Sequence, residues 1–164
     1  MTSASPDPRC SIARTLQVLG DRWTVLIVRE SFRGRTRFSE FRDMLGIPRD
    51  ILTTRLGSLV EAGVLERRGY REAGARERFD YHLTEAGKAL LPVLGALTQW
   101  GNEFLPSGHG PTRIYQNAET HEPATVAFVG PDGRLIRPAD IGIVPGPGET
   151  DPSIGPIRPL AAAV

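Results

Sequence analysis

Two short helical segments joined by a glycine- and proline-containing turn, with a β-hairpin directly after them, leave this chain few folds to adopt. Ser39 is placed to cap a short helix over residues 40–45, and Gly46 breaks it. Pro48 opens a second helix over 48–62, where the missing N–H is not needed, and Gly63 supplies its stop. Two helices separated by about three residues that include glycine form a helix-turn-helix. Residues 64–70 and 78–83 then read as strands. In the second, Phe79, Tyr81 and Leu83 alternate with Arg78, Asp80 and His82, so one face is apolar. A polar loop over 71–77 joins them. A hairpin placed there gives the element order of a winged helix.

The flanking segments extend this domain. Residues 11–19 place Ile12, Leu16 and Leu19 at helical spacing, and Gly20 ends that run. Asp21 is a good cap for a helix over 22–32 that buries Trp23, Leu26, Ile27 and Phe32, with Gly34 closing it. After the hairpin, Thr84 is expected to cap one long helix reaching Phe104. Its apolar stripe holds Ala86, Leu90, Val93, Leu94, Leu97, Trp100 and Phe104. The stripe is long for the end of a small domain, so burial against a second subunit is expected, with Leu90, Leu94, Leu97 and Trp100 at that interface. The chain of 164 residues has four prolines up to Phe104 and ten after it, with eight glycines in that second part. The expected organisation is a disordered lead over 1–9, a winged helix-turn-helix DNA-binding and dimerisation domain over 10–104, a small β-rich extension over 105–148 and a flexible tail over 149–164. The fold class is α+β, mainly α.

Charge points to a partner. The net charge is only +1, but the segment 33–78 carries eleven Arg against seven Asp and Glu. On a helical wheel of residues 48–62, Leu52, Leu56, Leu59 and Val60 share the core face. Ile51, Thr54, Arg55 and Ser58 lie opposite or on its flank, with Arg49 in the first turn. Arginine donates twice to guanine, hydroxyls donate or accept, and an aliphatic group packs on a thymine methyl, which is the chemistry of major-groove reading. Packing under the wing is the other account of Ile51. Gly57, inside the helix, allows close approach of DNA or of a neighbouring element. Arg35 and Arg37 before the motif, and Arg71, Arg76 and Arg78 on the wing with Arg67 and Arg68 at its base, are candidates for phosphate contact. Pairing with Glu66, Glu72 and Glu77 is the alternative for the wing arginines.

Other classes find little support. No apolar run is long enough for a membrane span, and residues 1–9 lack the apolar stretch of a secretory signal, so a cytoplasmic location is expected. The single Cys10 forms no internal disulfide framework or multi-cysteine zinc site, and His109 and His121 are too few and too loosely placed for a structural zinc. No phosphate loop or nucleophile with a nearby histidine is present. Neither an enzyme nor a cofactor is expected. The remaining alternative is a winged-helix protein-interaction module with no operator of its own.

The segments CSIAR (10–14), LGDRWTVLIVRE (19–30), RFSEF (37–41), GIPRDILTTRL (46–56), LVEAGVLERR (59–68) and YHLTEAG (81–87), with the helix running on to Trp100 and Gly101, resemble in this order the HxlR-type family of winged helix-turn-helix transcriptional regulators. The resemblance implies a homodimer formed by the first and last helices of the domain, with Ile12 and Leu16 of the first also at the interface, bound to a two-fold operator on double-stranded DNA. It implies a repressor or activator, in some members responsive to oxidants, electrophiles or another small-molecule effector. Cys10 stands where the family commonly has a cysteine, which in some members is a redox sensor. The positive end of a helix favours a thiolate; a small buried residue at the dimer interface is the other reading. Two departures stand out. The wing is about two residues longer than usual and lacks the usual prolines. The extension lacks the cysteines of a zinc-ribbon-like unit that many relatives carry. Its strand pattern survives at 124–129 and 134–137 around a glycine-proline-aspartate-glycine turn, which implies a metal-free hairpin or three-stranded unit.

Overall fold

The computed structural model describes residues 9–71, 78–148 and 155–156. The expected lead, the wing tip with Arg76, and the expected tail fall almost wholly outside those residues. The chain divides into two compact units, Met1–Leu94 and Gly95–Val164. The division lies inside the last helix, earlier than the composition change near Phe104.

The first unit contains α1 (Ser11–Leu19), α2 (Arg22–Phe32), α3 (Phe38–Leu45), α4 (Arg49–Glu61), β1 (Leu65–Tyr70), β2 (Arg78–Leu83) and the short α5 (Glu85–Lys88). The core is built where the apolar faces of α2, α3 and α4 meet. Ile27, Phe41, Leu52, Leu56 and Leu59 are fully buried, and Ile47 of the turn joins them. Burying such side chains contributes about 1.5–3 kcal/mol each, which fixes the mutual placement of the three helices. Gly46 closes α3 at φ 60°, a left-handed conformation that favours glycine, and so sets the tight turn into α4.

Strands β1 and β2 pair antiparallel from Leu65↔Leu83 to Tyr70↔Arg78. A third piece of backbone joins them. Arg37 bridges Asp80, and the Tyr81 N–H donates to Thr36 O at 2.7 Å. The segment before α3 is thereby tied to the wing. At the hairpin's base, Thr84 Oγ1 donates to Gly63 O at 2.6 Å and accepts from the Gly87 N–H at 3.1 Å. A Cβ on Gly87 would sit 2.2 Å from Val64 O, so backbone packs directly on backbone there.

Three boundaries differ from the sequence expectation. Helix α3 starts at Phe38, because Glu40 rather than Ser39 caps it: its Oε2 accepts from the Thr36 and Arg37 N–H groups at 2.9 Å each. Pro48 takes the capping position of α4 instead of its first turn. The long helix expected from Thr84 is broken at Ala89 and Leu90, and α6 (Leu91–Phe104) starts anew. Pro92 has no N–H to offer the Lys88 carbonyl, and its ring would clash with that carbonyl in a continuous helix. Leu94 joins the first unit's own core at 9% exposure, and Leu90 packs half-buried against it.

In the second unit, strands β3 (Phe128–Val129) and β4 (Leu135–Ile136) are shorter than the sequence pattern. The backbone before β3 is paired elsewhere. Ala124 N–H donates to Tyr115 O at 2.9 Å. The Gln99 side chain accepts from the Val126 N–H and donates to Val126 O at 3.1 Å. Gly95 of α6 lets the Val126 side chain approach its backbone. Before this hairpin in the chain, Gln116 and Pro123 form an isolated bridge.

Candidate nucleic-acid interface

Helix α4 presents an exposed face made of Arg49, Asp50, Thr53, Thr54, Gly57 and Ser58. Thr53 and Thr54 each donate their hydroxyl to a carbonyl one turn back, Arg49 O at 2.8 Å and Asp50 O at 3.0 Å. Their oxygens therefore face outward as acceptors. A Cβ built on Gly57 meets nothing within 4 Å, so packing within the chain does not require glycine there.

Two side chains expected on this face are engaged elsewhere. Ile51 is half-buried against the core. Arg55 pairs with Asp21 at 3.0 Å, with 35% of its side chain exposed and its Nε buried without a hydrogen-bond partner. Asp21 is also the cap of α2, accepting from the Trp23 N–H at 2.9 Å, so Arg55 fastens α4 to the start of α2. Arg35, expected on phosphate, sits with its Nη1 3.0 Å from Glu30 Oε2. Glu30 is fully buried and also receives Arg29 Nε at 2.8 Å and Arg33 Nη1 at 2.7 Å on Oε1. The Arg35 contact is an ion pair without hydrogen-bond geometry, so Oε2 has no hydrogen-bond donor.

A cleft of about 480 Å³ opens between the helix-turn-helix and the wing. Arg37, Arg42, Arg49 and Arg78 line it, with Phe38, Ser39, Tyr70, Phe79 and Tyr81. Among the described residues, no acidic one is in that lining. The Arg37 guanidinium stands 5.0 Å from the centre of the Tyr70 ring, and that of Arg49 5.9 Å from the centre of the Phe38 ring. Arg42 pairs with Asp43 at 2.9 Å. Burial pushes the Tyr81 phenol up from its ordinary value, which keeps it neutral. At the cleft's edge, the Glu40 carboxyl is held below its ordinary range by the Arg37 and Thr36 amides, with smaller help from the Arg37 and Arg35 charges.

Of the remaining candidates, Arg71 is exposed at the end of the described wing, and Arg76 lies outside the described residues. Arg68 is paired with Glu66 on the same strand. Cys10 is exposed and takes the capping position of α1, making no cap hydrogen bond. Ile12 and Leu16 on α1 are 73% and 57% exposed, and Leu97 and Trp100 on α6 are 53% and 55% exposed. Asp50 and Thr53 were not among the expected readers, although the helical wheel sets both between Arg49 and Thr54. The rings beneath Arg37 and Arg49 had no one-dimensional signal, since Tyr70 and Arg37 meet only through the fold. Among the described residues, no group of three or more His, Cys, Asp and Glu could hold a metal ion, and no helix is long and apolar enough to cross a membrane.

Residues 18–109 match the HxlR-like helix-turn-helix family. The chain is 40% identical over 139 residues to the uncharacterized HTH-type transcriptional regulator Rv3095 of Mycobacterium tuberculosis, covering 84% of this chain and 87% of that one. Among solved structures it is similar to PA1607, crystallised as a candidate transcription factor, at 34% identity and a TM-score of 0.70 over 80% of this chain and 91% of the other. The redox regulator HypR in its oxidized form is similar at 30% identity and a TM-score of 0.52, over 57% of this chain and 96% of that one.

Proposed function

This chain belongs to the HxlR-like helix-turn-helix family and is a DNA-binding transcriptional regulator; from that premise we propose that it acts in the cytoplasm, without catalysis, as a homodimer on a two-fold duplex operator. The observation that carries this reading is the exposed face of α4 beside a cleft lined by Arg37, Arg42, Arg49 and Arg78. Thr53, Thr54 and Ser58, with Asp50 as an acceptor for cytosine, have the chemistry to read base edges. Arg37, Arg71 and Arg78 supply phosphate contacts, as does Arg76 on the wing tip. Ile51 and Arg55 support the face from behind, and Arg35 is held by Glu30 of α2. The exposed apolar residues of α1 and α6 supply the subunit interface. Cys10 is the candidate sensor for an oxidant or electrophile; its exposure and the similarity to a redox regulator support that role.

Selection of bound fragments from a randomised duplex library tests the operator. The expected result is an enriched two-fold motif with half-sites one helical turn, about 34–36 Å, apart. Enrichment without symmetry contradicts the homodimer, and no enrichment contradicts the operator. For Cys10, peroxide or quinone should release DNA from the wild type and leave the Cys10→Ser complex intact; equal release from both excludes the sensor.

A further inference from the structure

Resting on the operator-binding reading, we propose that α4 reads its operator through the exocyclic amino groups of adenine and cytosine in the major groove, with Asp50, Thr53 and Thr54 as the specificity-determining residues. The three lie at i, i+3 and i+4 on the helix, so they share one face, and all are exposed. What they can offer a base is narrower than their residue types suggest. A carbonyl cannot donate, so the bonds from Thr53 Oγ1 to Arg49 O at 2.8 Å and from Thr54 Oγ1 to Asp50 O at 3.0 Å use the one proton that each hydroxyl carries. Both oxygens are left with lone pairs to face outward. The Asp50 carboxylate likewise only accepts. The middle of the reading face is therefore a triad of acceptors, with Arg49 before it and the Ser58 hydroxyl, able to donate or accept, after it.

In the major groove guanine presents the acceptors N7 and O6, and thymine presents the acceptor O4 beside its methyl group. Neither has a donor for this triad. Adenine N6 and cytosine N4 each have one. Every base pair thus carries a single amino group, and the identity of the pair sets the side of the groove on which it lies. Aspartate and threonine side chains are short, and the groove is about 12 Å wide, so they cannot follow that group when the pair is reversed. A keto oxygen then stands where the amino group stood, and two acceptors face each other unpaired in the interface, which is costly. The triad therefore fixes, at each pair it meets, which strand holds the amino base. Gly57, one turn further along the same face, adds no side chain that would hold the helix away from the bases.

The test is fluorescence anisotropy of the full chain on the operator recovered by selection, with one base replaced at a time. Purine for adenine and pyrimidinone for cytosine delete the amino group and add no bulk. At the pairs that meet the triad, each deletion should weaken the wild type by about fivefold or more. Deaza analogues, which put carbon in place of N7, remove an acceptor and should change nothing at those pairs. Thr53→Val and Thr54→Val keep the shape of the side chain and remove its oxygen. Each should weaken the intact operator by about fivefold, bind random duplex as the wild type does, and lose nothing further on one of the amino-deleted operators. Asp50→Asn gains donors and should tolerate guanine or thymine at its own pair. Melting temperatures close to that of the wild type separate lost reading from lost folding. Valine variants that keep the full sensitivity to every amino deletion, or losses that follow the deaza analogues instead, would overturn the amino reading and leave operator binding intact. A wild type with no preference among duplexes would overturn the operator reading and this one with it.

Discussion

Asp21 serves two helices at once. One carboxylate oxygen caps α2 through the Trp23 N–H, and the other holds Arg55 of α4. Asp21→Ala should therefore lower stability by about 1 kcal/mol in thermal melts, the usual cost of a lost cap. The pair with Arg55 is about a third exposed and adds little to that figure. Glu40 makes a pH prediction. Its carboxyl lies below the ordinary 4.5 in the folded chain, so it contributes stability that is fully present above that value and fades as pH falls through the lower folded value. The difference in melting temperature between wild type and Glu40→Gln should be constant near neutrality and shrink in acid; a difference independent of pH contradicts the capping role. On the reading face, Ser58→Ala or Asp50→Asn should change preference at one operator position by roughly 1–3 kcal/mol in competition binding, with random duplex unaffected.

At the level of elements, periodicity and turn residues were enough to locate α1 to α4 and both wing strands. Glycine and proline mark the ends, and apolar spacing marks the buried faces of α2 and α4. What could not be read depended on partners distant in sequence. Arg55 is polar and lies off the core face of the wheel, and nothing local says that Asp21 holds it. Ile51 looks like a surface aliphatic until the fold closes over it. The split between α5 and α6 had a local cause in Pro92, which the apolar stripe overrode in the sequence reading. Two glycines make opposite predictions here. Gly87→Ala drives a methyl into Val64 O and should destabilise the chain severely, seen as a lost or much earlier urea transition. Gly57→Ala meets open space on α4 and should raise stability by about 0.5–1 kcal/mol.

For the whole molecule, recognition of a two-fold operator requires a dimer that carries two copies of the α4 face and its cleft. The apolar surface of α1 is the first place to break it. Leu16→Arg adds charge where 57% of the residue is already exposed, so the fold should stand while light scattering reports a monomer. A dimer of unchanged mass would remove α1 from the interface. Leu94 would not serve this purpose, because it belongs to the domain's own core. The measurement that bears most directly on operator binding is the anisotropy of a fluorescent duplex from upstream of this protein's own gene, compared with random duplex, as salt is raised. An operator-binding regulator should bind one sequence more tightly, lose affinity steeply with salt for both, and keep its preference through the series. Weak binding, equal for the two duplexes and nearly insensitive to salt, would contradict it and favour a winged-helix module that binds protein.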